Sequence, residues 1–171
     1  RLKVKPEIGI RAKLSTRGSG RWEKSTGDRS KFGLTTREMV KAVNRLKEED
    51  MLHCLKLLHF HIGSQVTSIR ALKDAIREGS HIYTNLREMG ATELTYVDVG
   101  GGLAIDYDGS QTNFHSSKNY STQEYANDIV STLQDICDTS ETPHPTIISE
   151  SGRSLVAHHS ILIFNIVGTH K

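Results

Sequence analysis

Cysteine is scarce in this chain: Cys54 and Cys137 are the only two among 171 residues. Two thiols so far apart make no disulfide framework, so a reducing compartment is the default and both read as structural. An excess of one charge is also missing. The 22 basic residues meet 20 acidic ones along the whole chain, for a net charge of +2. That argues against a dedicated nucleic-acid surface, which shows as a basic patch. No apolar run approaches the roughly 20 residues that span a bilayer. The opening "RLKVKPEIGI" has no signal-peptide pattern. No initiator Met begins the chain, and "ILIFNIVGTHK" near its end is apolar, so the chain reads as an internal piece of a longer protein. The sequon Asn119-Tyr120-Ser121 reads as chance.

What is present is an alternation of two hydrophobic periods. "EIGIRAKL" reads as a strand, followed by a polar, Gly- and Ser-rich loop from Ser15 to about Gly33. Thr35 with Glu38 predicts a capping box, with Met39, Val40, Val43 and Leu46 on one helical face. "LKLLHFHIG" predicts the second strand. Ser68 is the predicted cap of a long helix with Ile69, Leu72, Ile76, Leu86 and Met89 inward, stopped at Gly90. "LTYVDV" is the third strand and runs into three glycines. Ser121 and Glu124 predict a second capping box, ahead of Tyr125, Ile129, Leu133 and Ile136 on one face. "PTIISE" is the fourth strand. A short helix follows "SGRS", and a β-rich run is expected from about Ile161.

The order βαβαβαβ with apolar strands predicts a parallel sheet covered by helices. Right-handed crossovers allow a barrel or an open doubly wound sheet. A closed (β/α)8 barrel takes about 250 residues, so about half of one would be here.

In either fold, functional residues gather at the carboxyl ends of the strands. The first end carries Arg11 and Lys13. The second, "HFHIGSQ", carries His61, Gly63 and Ser64. The third carries Gly100, Gly101 and Gly102, and the fourth, "SESGR", carries Glu150, Ser151, Gly152 and Arg153. Each has an ordinary structural explanation: a core histidine, a tight turn, a Glu150–Arg153 salt bridge. Together they suit one ligand. Backbone N–H groups freed by glycines cradle a phosphate, and Arg153 adds a planar, permanently charged fork. Ser64 can donate one more hydrogen bond. A bare phosphate has no use for Glu150 or His61. A flat heteroaromatic cofactor with a phosphate arm does: Glu150 can face a protonated ring nitrogen, and His61 can lie against the ring. Pyridoxal phosphate fits, because its chemistry needs that nitrogen protonated. No cluster has metal-ligand spacing. His53, His59 and His61 alternate along a strand, and His53 and His59 read as structural or solvent-facing; an assisting Mg2+ stays open.

With "HFHIGSQ", "VDVGGGL" and "ISESGR" in this order, the chain resembles the alanine-racemase-like, fold type III pyridoxal-phosphate decarboxylases. "GSGRWEKSTGDRSKFGL", "VDVGGGLAIDYDGS", "QEYANDIV" and "SESGRSLVAHH" bring it nearest to the biosynthetic arginine decarboxylases, in wording similar to plant members. The resemblance implies the C-terminal half of a cofactor-binding (β/α)8 barrel over residues 1–158. Residues 159–171 would begin a β-rich domain. It implies that His61 stacks on the ring, that Ser64 and Gly102 bind phosphate, and that Glu150 pairs with the ring nitrogen. Gly152 and Arg153 would complete the phosphate site. Relatives commonly have proline where Ser151 stands. Val97 to Tyr107 (Val97, Asp98, Val99, Leu103, Ala104, Ile105, Asp106 and Tyr107 beside the glycines) is similar to a family segment proposed to bind substrate.

The implied reaction is decarboxylation of L-arginine to agmatine and CO2, leading to putrescine and polyamines. It implies a homodimer or larger homo-oligomer with shared active sites, in chloroplast or cytoplasm, without nucleic acid or membrane. The family's Schiff-base lysine lies on an early strand and its reprotonating cysteine in the downstream domain. Neither has a counterpart here, so the chain alone is expected to be inactive. Rival readings are a diaminopimelate or ornithine decarboxylase, a non-catalytic regulatory homologue, and a barrel binding a sugar phosphate or flavin.

Overall fold

Four short strands lie side by side in chain order: β1 (Ile8–Arg11), β2 (Leu55–His59), β3 (Tyr96–Asp98) and β4 (Thr146–Ile148). All pairs are parallel. These elements come from a computed structural model that describes residues 4–16 and 30–169. The predicted loop from Ser15 to Gly33 lies mostly outside them. Between the strands run α1 (Thr36–Glu48), α2 (Ile69–Glu88) and α3 (Thr122–Thr139), and α4 (Gly152–Val156) follows β4. Strand order without reversal is what a closing barrel uses; a doubly wound sheet reverses at a switch point.

The register sorts residues into two faces, because side chains alternate along a strand. Ile10, Leu58, Val97 and Ile147 form one row across the sheet, and Arg11, His59, Asp98 and Ile148 form the next. The first row packs into the core with Met39, Val43, Leu72, Ile76, Tyr83, Ile129 and Leu133 from the helices. The second row's face is open, with Tyr96 42% and Ile148 36% exposed. Parallel sheets are normally covered on both faces.

Local chemistry explains the helices. Both predicted capping boxes form. Thr35 Oγ1 accepts from Glu38 N while Glu38 accepts from Thr35 N, and Ser121 and Glu124 do the same. Gly90, at φ +100°, ends α2 in a Schellman motif: Gly90 N donates to Arg87 O and Ala91 N to Leu86 O. The same pattern ends α1 at Asp50 and α3 at Glu141, both left-handed although neither is glycine.

Several expectations are corrected. Ser68 makes no side-chain cap bond to α2; Asn119, from the next crossover, accepts from Ile69 N at 3.1 Å instead. The sequon asparagine is thus an element of the fold. Val40 is 38% exposed, since its position on α1 turns away from the sheet. Ile136 is only half-buried, and its neighbour Cys137 fills the core. His53 lies on a 3-10 turn (Leu52–Cys54) before β2, not on the strand with His59. Among the described residues no strand forms over 161–169, and Ile161 to Val167 are exposed. A strand needs a neighbour to satisfy its backbone, and none of the described strands lies alongside.

Candidate functional site

Beyond the last residues of β2, β3 and β4 the ladder bonds continue into the loops. Phe60 N donates to Asp98 O, Val99 N to Ile148 O, and Glu150 N to Gly100 O. The loops therefore leave the sheet in register, and the residues that follow are placed by the strands. Phe60 and Ile62 are buried on the helix side, which turns His61 between them to the open face. Gly79 of α2 makes room for Phe60, since a Cβ there would strike the phenyl ring.

The three loop ends and the start of α4 enclose a cleft of about 230 Å³. It is lined by His61, Gly63, Ser64, Gly101, Gly102, Leu103, Glu150, Ser151, Arg153 and Ser154. Of the sequence-predicted residues, His61, Ser64, Gly101, Gly102, Glu150, Ser151 and Arg153 line this one cleft. Gly100 and Gly152 do not line it. Along Val97 to Tyr107, Val97, Val99, Ala104 and Ile105 are buried, Leu103 lines the cleft, and Tyr107 is 57% exposed. Asp98 Oδ1 accepts from Gly100 N at 2.8 Å, and Asp106 Oδ1 accepts from Ser117 Oγ at 2.7 Å.

The glycines have reasons inside the protein. A Cβ on Gly101 would strike the Glu150 carbonyl oxygen, and one on Gly102, at φ +96°, the Gly63 carbonyl oxygen. Backbone meets backbone at both, so the strand ends close up only with glycine there. Gly100 N is engaged by Asp98, and Gly101 N donates to His61 Nδ1 at 3.3 Å. The expectation that all three glycines open their backbone to a phosphate is thereby narrowed to Gly102.

With Nδ1 accepting from Gly101, the neutral His61 ring carries its proton on Nε2. Burial of the ring, then the positive charges of Arg11 and His59, push its pKa below the ordinary histidine value; Glu150 and Asp98 pull the other way. Neutral His61 follows, and a neutral ring suits a flat contact. Arg11 itself lies over the Phe32 ring, 5.1 Å from its centroid.

Glu150 and Arg153 form no salt bridge with each other, and Arg153 has no ion-pair partner among the described residues. The cleft therefore presents an acceptor-only carboxylate and a guanidinium fork, each with capacity left, beside the hydroxyls of Ser64, Ser151 and Ser154. This donor set fits a ligand with a phosphate and a protonated ring nitrogen. A sugar phosphate would leave Glu150 without a task.

Sequence reasoning missed the residues that hold the loops. Gln65 pairs with Ile105, and Tyr120 OH accepts from Ala104 N at 3.0 Å and donates to Val66 O at 2.8 Å. Burial pushes the Tyr120 phenol up to about 12. It also missed that His59, Asp98 and Glu150 converge within 4.8 Å of one another, though His59 shares His61's period-two face.

Residues 1–157 match the family described as pyridoxal-dependent decarboxylase, pyridoxal binding domain. A biosynthetic arginine decarboxylase of Nostoc sp. is 57% identical over 98% of this chain and 25% of its own length. The crystal structure of the biosynthetic arginine decarboxylase of Campylobacter jejuni superposes with a TM-score of 0.75 at 41% identity, over 90% of this chain and 24% of that one. Helicobacter pylori diaminopimelate decarboxylase, complexed with L-lysine, superposes with a TM-score of 0.67 at 27% identity, over 86% and 34%. The chain thus spans about a quarter of the curated relatives it matches. By fold, by cleft and by these likenesses, the chain belongs to the pyridoxal-binding domains of the pyridoxal-dependent decarboxylases.

Proposed function

We propose that the protein carrying this chain decarboxylates L-arginine to agmatine and CO2, with pyridoxal phosphate in the cleft. The observation that carries this reading is that Glu150 and Arg153 line one cleft without a salt bridge between them. Likeness to arginine decarboxylases at 57% identity supports the substrate. When bound, pyridoxal phosphate supplies a protonated ring that accepts the electron pair left by departing CO2.

The chain's own residues supply the rest. Glu150 holds the proton on the ring nitrogen by a charge-assisted hydrogen bond. Arg153 and Ser64, with the Gly102 backbone, hold the phosphate. Neutral His61 covers the ring and keeps water from it. Ser151 and Gly152 bring the α4 backbone to the phosphate side. The substrate segment from Val97 contributes through Leu103, which lines the cleft.

The open second face of the sheet would become the barrel interior once further strands pair with the β1 and β4 edges, with residues 159–171 leading into a β-rich domain. No lysine lines the cleft among the described residues, so this chain alone is expected to release no CO2. Homo-oligomers with shared sites, in chloroplast or cytoplasm, complete the reading. No described helix is long and apolar enough to cross a membrane.

The test is CO2 release by the full-length protein from carboxyl-labelled arginine, ornithine and diaminopimelate in parallel. Release from arginine alone is expected. Release from diaminopimelate would move the substrate to the second reading. Bound cofactor with no release from any would indicate a regulatory homologue.

A further inference from the structure

The open face holds one side chain with a stranded polar atom. His59 Nε2 is buried and makes no hydrogen bond among the described residues. Its nearest acidic neighbour is Glu150, with Oε2 at 3.6 Å, beyond hydrogen-bond reach but within ion-pair range. Buried polar atoms are rarely left so without a reason. Asp98 completes the group, but its Oδ1 already accepts from Gly100 N. Glu150 has no other side-chain partner among the described residues, and its side chain is 57% exposed.

The topology makes this meeting. His59 pairs with Asp98, and Asp98 with Ile148, in one row. His61 and Glu150 lie two residues further along their chains, one layer higher on the same face. Arg11 of β1 and Asp98 of β3 flank His59 in the sheet register, Glu150 beyond β4 stands 3.6 Å away, and His61 follows two residues along the chain. Arg11 opposes a cation here, so the trio is better suited to holding a carboxylate than a metal ion.

We propose that His59 is the positioning residue for Glu150. Its Nε2–H donates to the Glu150 carboxylate when that carboxylate closes on a ring nitrogen in the cleft. This keeps Glu150 ionised and aimed, while Asp98 steadies the loop behind it. The inference rests on the assignment of Glu150 under the proposed function.

The experiment is a double-mutant cycle on the full-length protein, reading pyridoxal phosphate affinity by absorbance and the melting temperature of the cofactor-free form. His59→Leu is expected to weaken cofactor binding about tenfold, as for loss of one charge-assisted contact. Its cofactor-free melting temperature should not fall. His59→Gln, which keeps an N–H donor, should recover most of the affinity. His59→Leu added to Glu150→Gln should cost nothing further, because the two act as one unit. Should His59→Leu fail to fold, His59→Phe takes its place in the cycle. Wild-type affinity in the donor-free variant, or losses that multiply in the double variant, would overturn the proposal and leave the proposed function standing. Weaker cofactor binding by the wild type after chelation would overturn it in favour of a cation site. Failure of the wild type to bind pyridoxal phosphate would sink the proposed function itself.

Discussion

Gln65 and Ile105 pair as two peptide units would: Gln65 Nε2 donates to Ile105 O at 2.7 Å, and Ile105 N donates to Gln65 Oε1 at 3.0 Å. One side chain thus mimics a strand neighbour and joins the β2 loop to the β3 loop, the two that carry His61 and the glycines. Gln65→Glu replaces the donor with a carboxylate oxygen facing a carbonyl. The expected result is faster amide exchange at Ile105 and a lower melting temperature. Unchanged exchange there would show that the clamp does not hold the loop.

Tyr120 works beside it. Tyr120→Phe strips the partner from two buried backbone groups, Ala104 N and Val66 O, at once. Each such loss costs about 1–3 kcal/mol. Denaturant titration of the full-length protein should show a destabilisation of that order, and a value near zero would mean that water replaces the phenol.

The glycines separate into two kinds. Gly102→Ala drives a Cβ into the Gly63 carbonyl at a positive φ, whereas Gly109, at φ +74°, has nothing within 4 Å. Gly109→Ala should therefore cost only the backbone term, about 1 kcal/mol. Gly102→Ala should cost several times that and lose cofactor, as read by thermal melting and absorbance. Equal effects would remove the steric argument.

Acid should loosen the His61–Gly101 contact. The folded pKa of His61 lies below its unfolded value, so between the two the unfolded chain binds more protons. Stability then rises with pH through that window and falls as pH drops below the ordinary histidine value. His61→Gln, which does not titrate, should flatten this slope in melting temperatures taken from pH 5 to 7.

The non-glycine helix ends offer a gain. Glu141 holds a left-handed backbone at φ 49° in the Schellman turn after α3. Glu141→Gly relieves a penalty of about 1 kcal/mol, partly offset by glycine's extra unfolded freedom. A small rise in melting temperature is expected; a fall would mean that the Glu141 side chain contributes more than its backbone costs.

Much was determined by the sequence alone, because it rests on short-range rules. The capping boxes at Thr35 and Ser121 and the stop at Gly90 depend on residues three or four apart. The strands follow from local period, and His61, Ser64, Glu150 and Arg153 were legible because parallel strands put their carboxyl ends together. Tertiary structure decided what depends on distant chain segments. Strand order chose barrel over doubly wound sheet. Asn119 took the α2 cap from Ser68, and the carbonyls of Gly63 and Glu150, not a phosphate alone, explained the glycines. His59 came under Glu150 because the sheet register stacks residues some 90 positions apart, a proximity that no local spacing encodes.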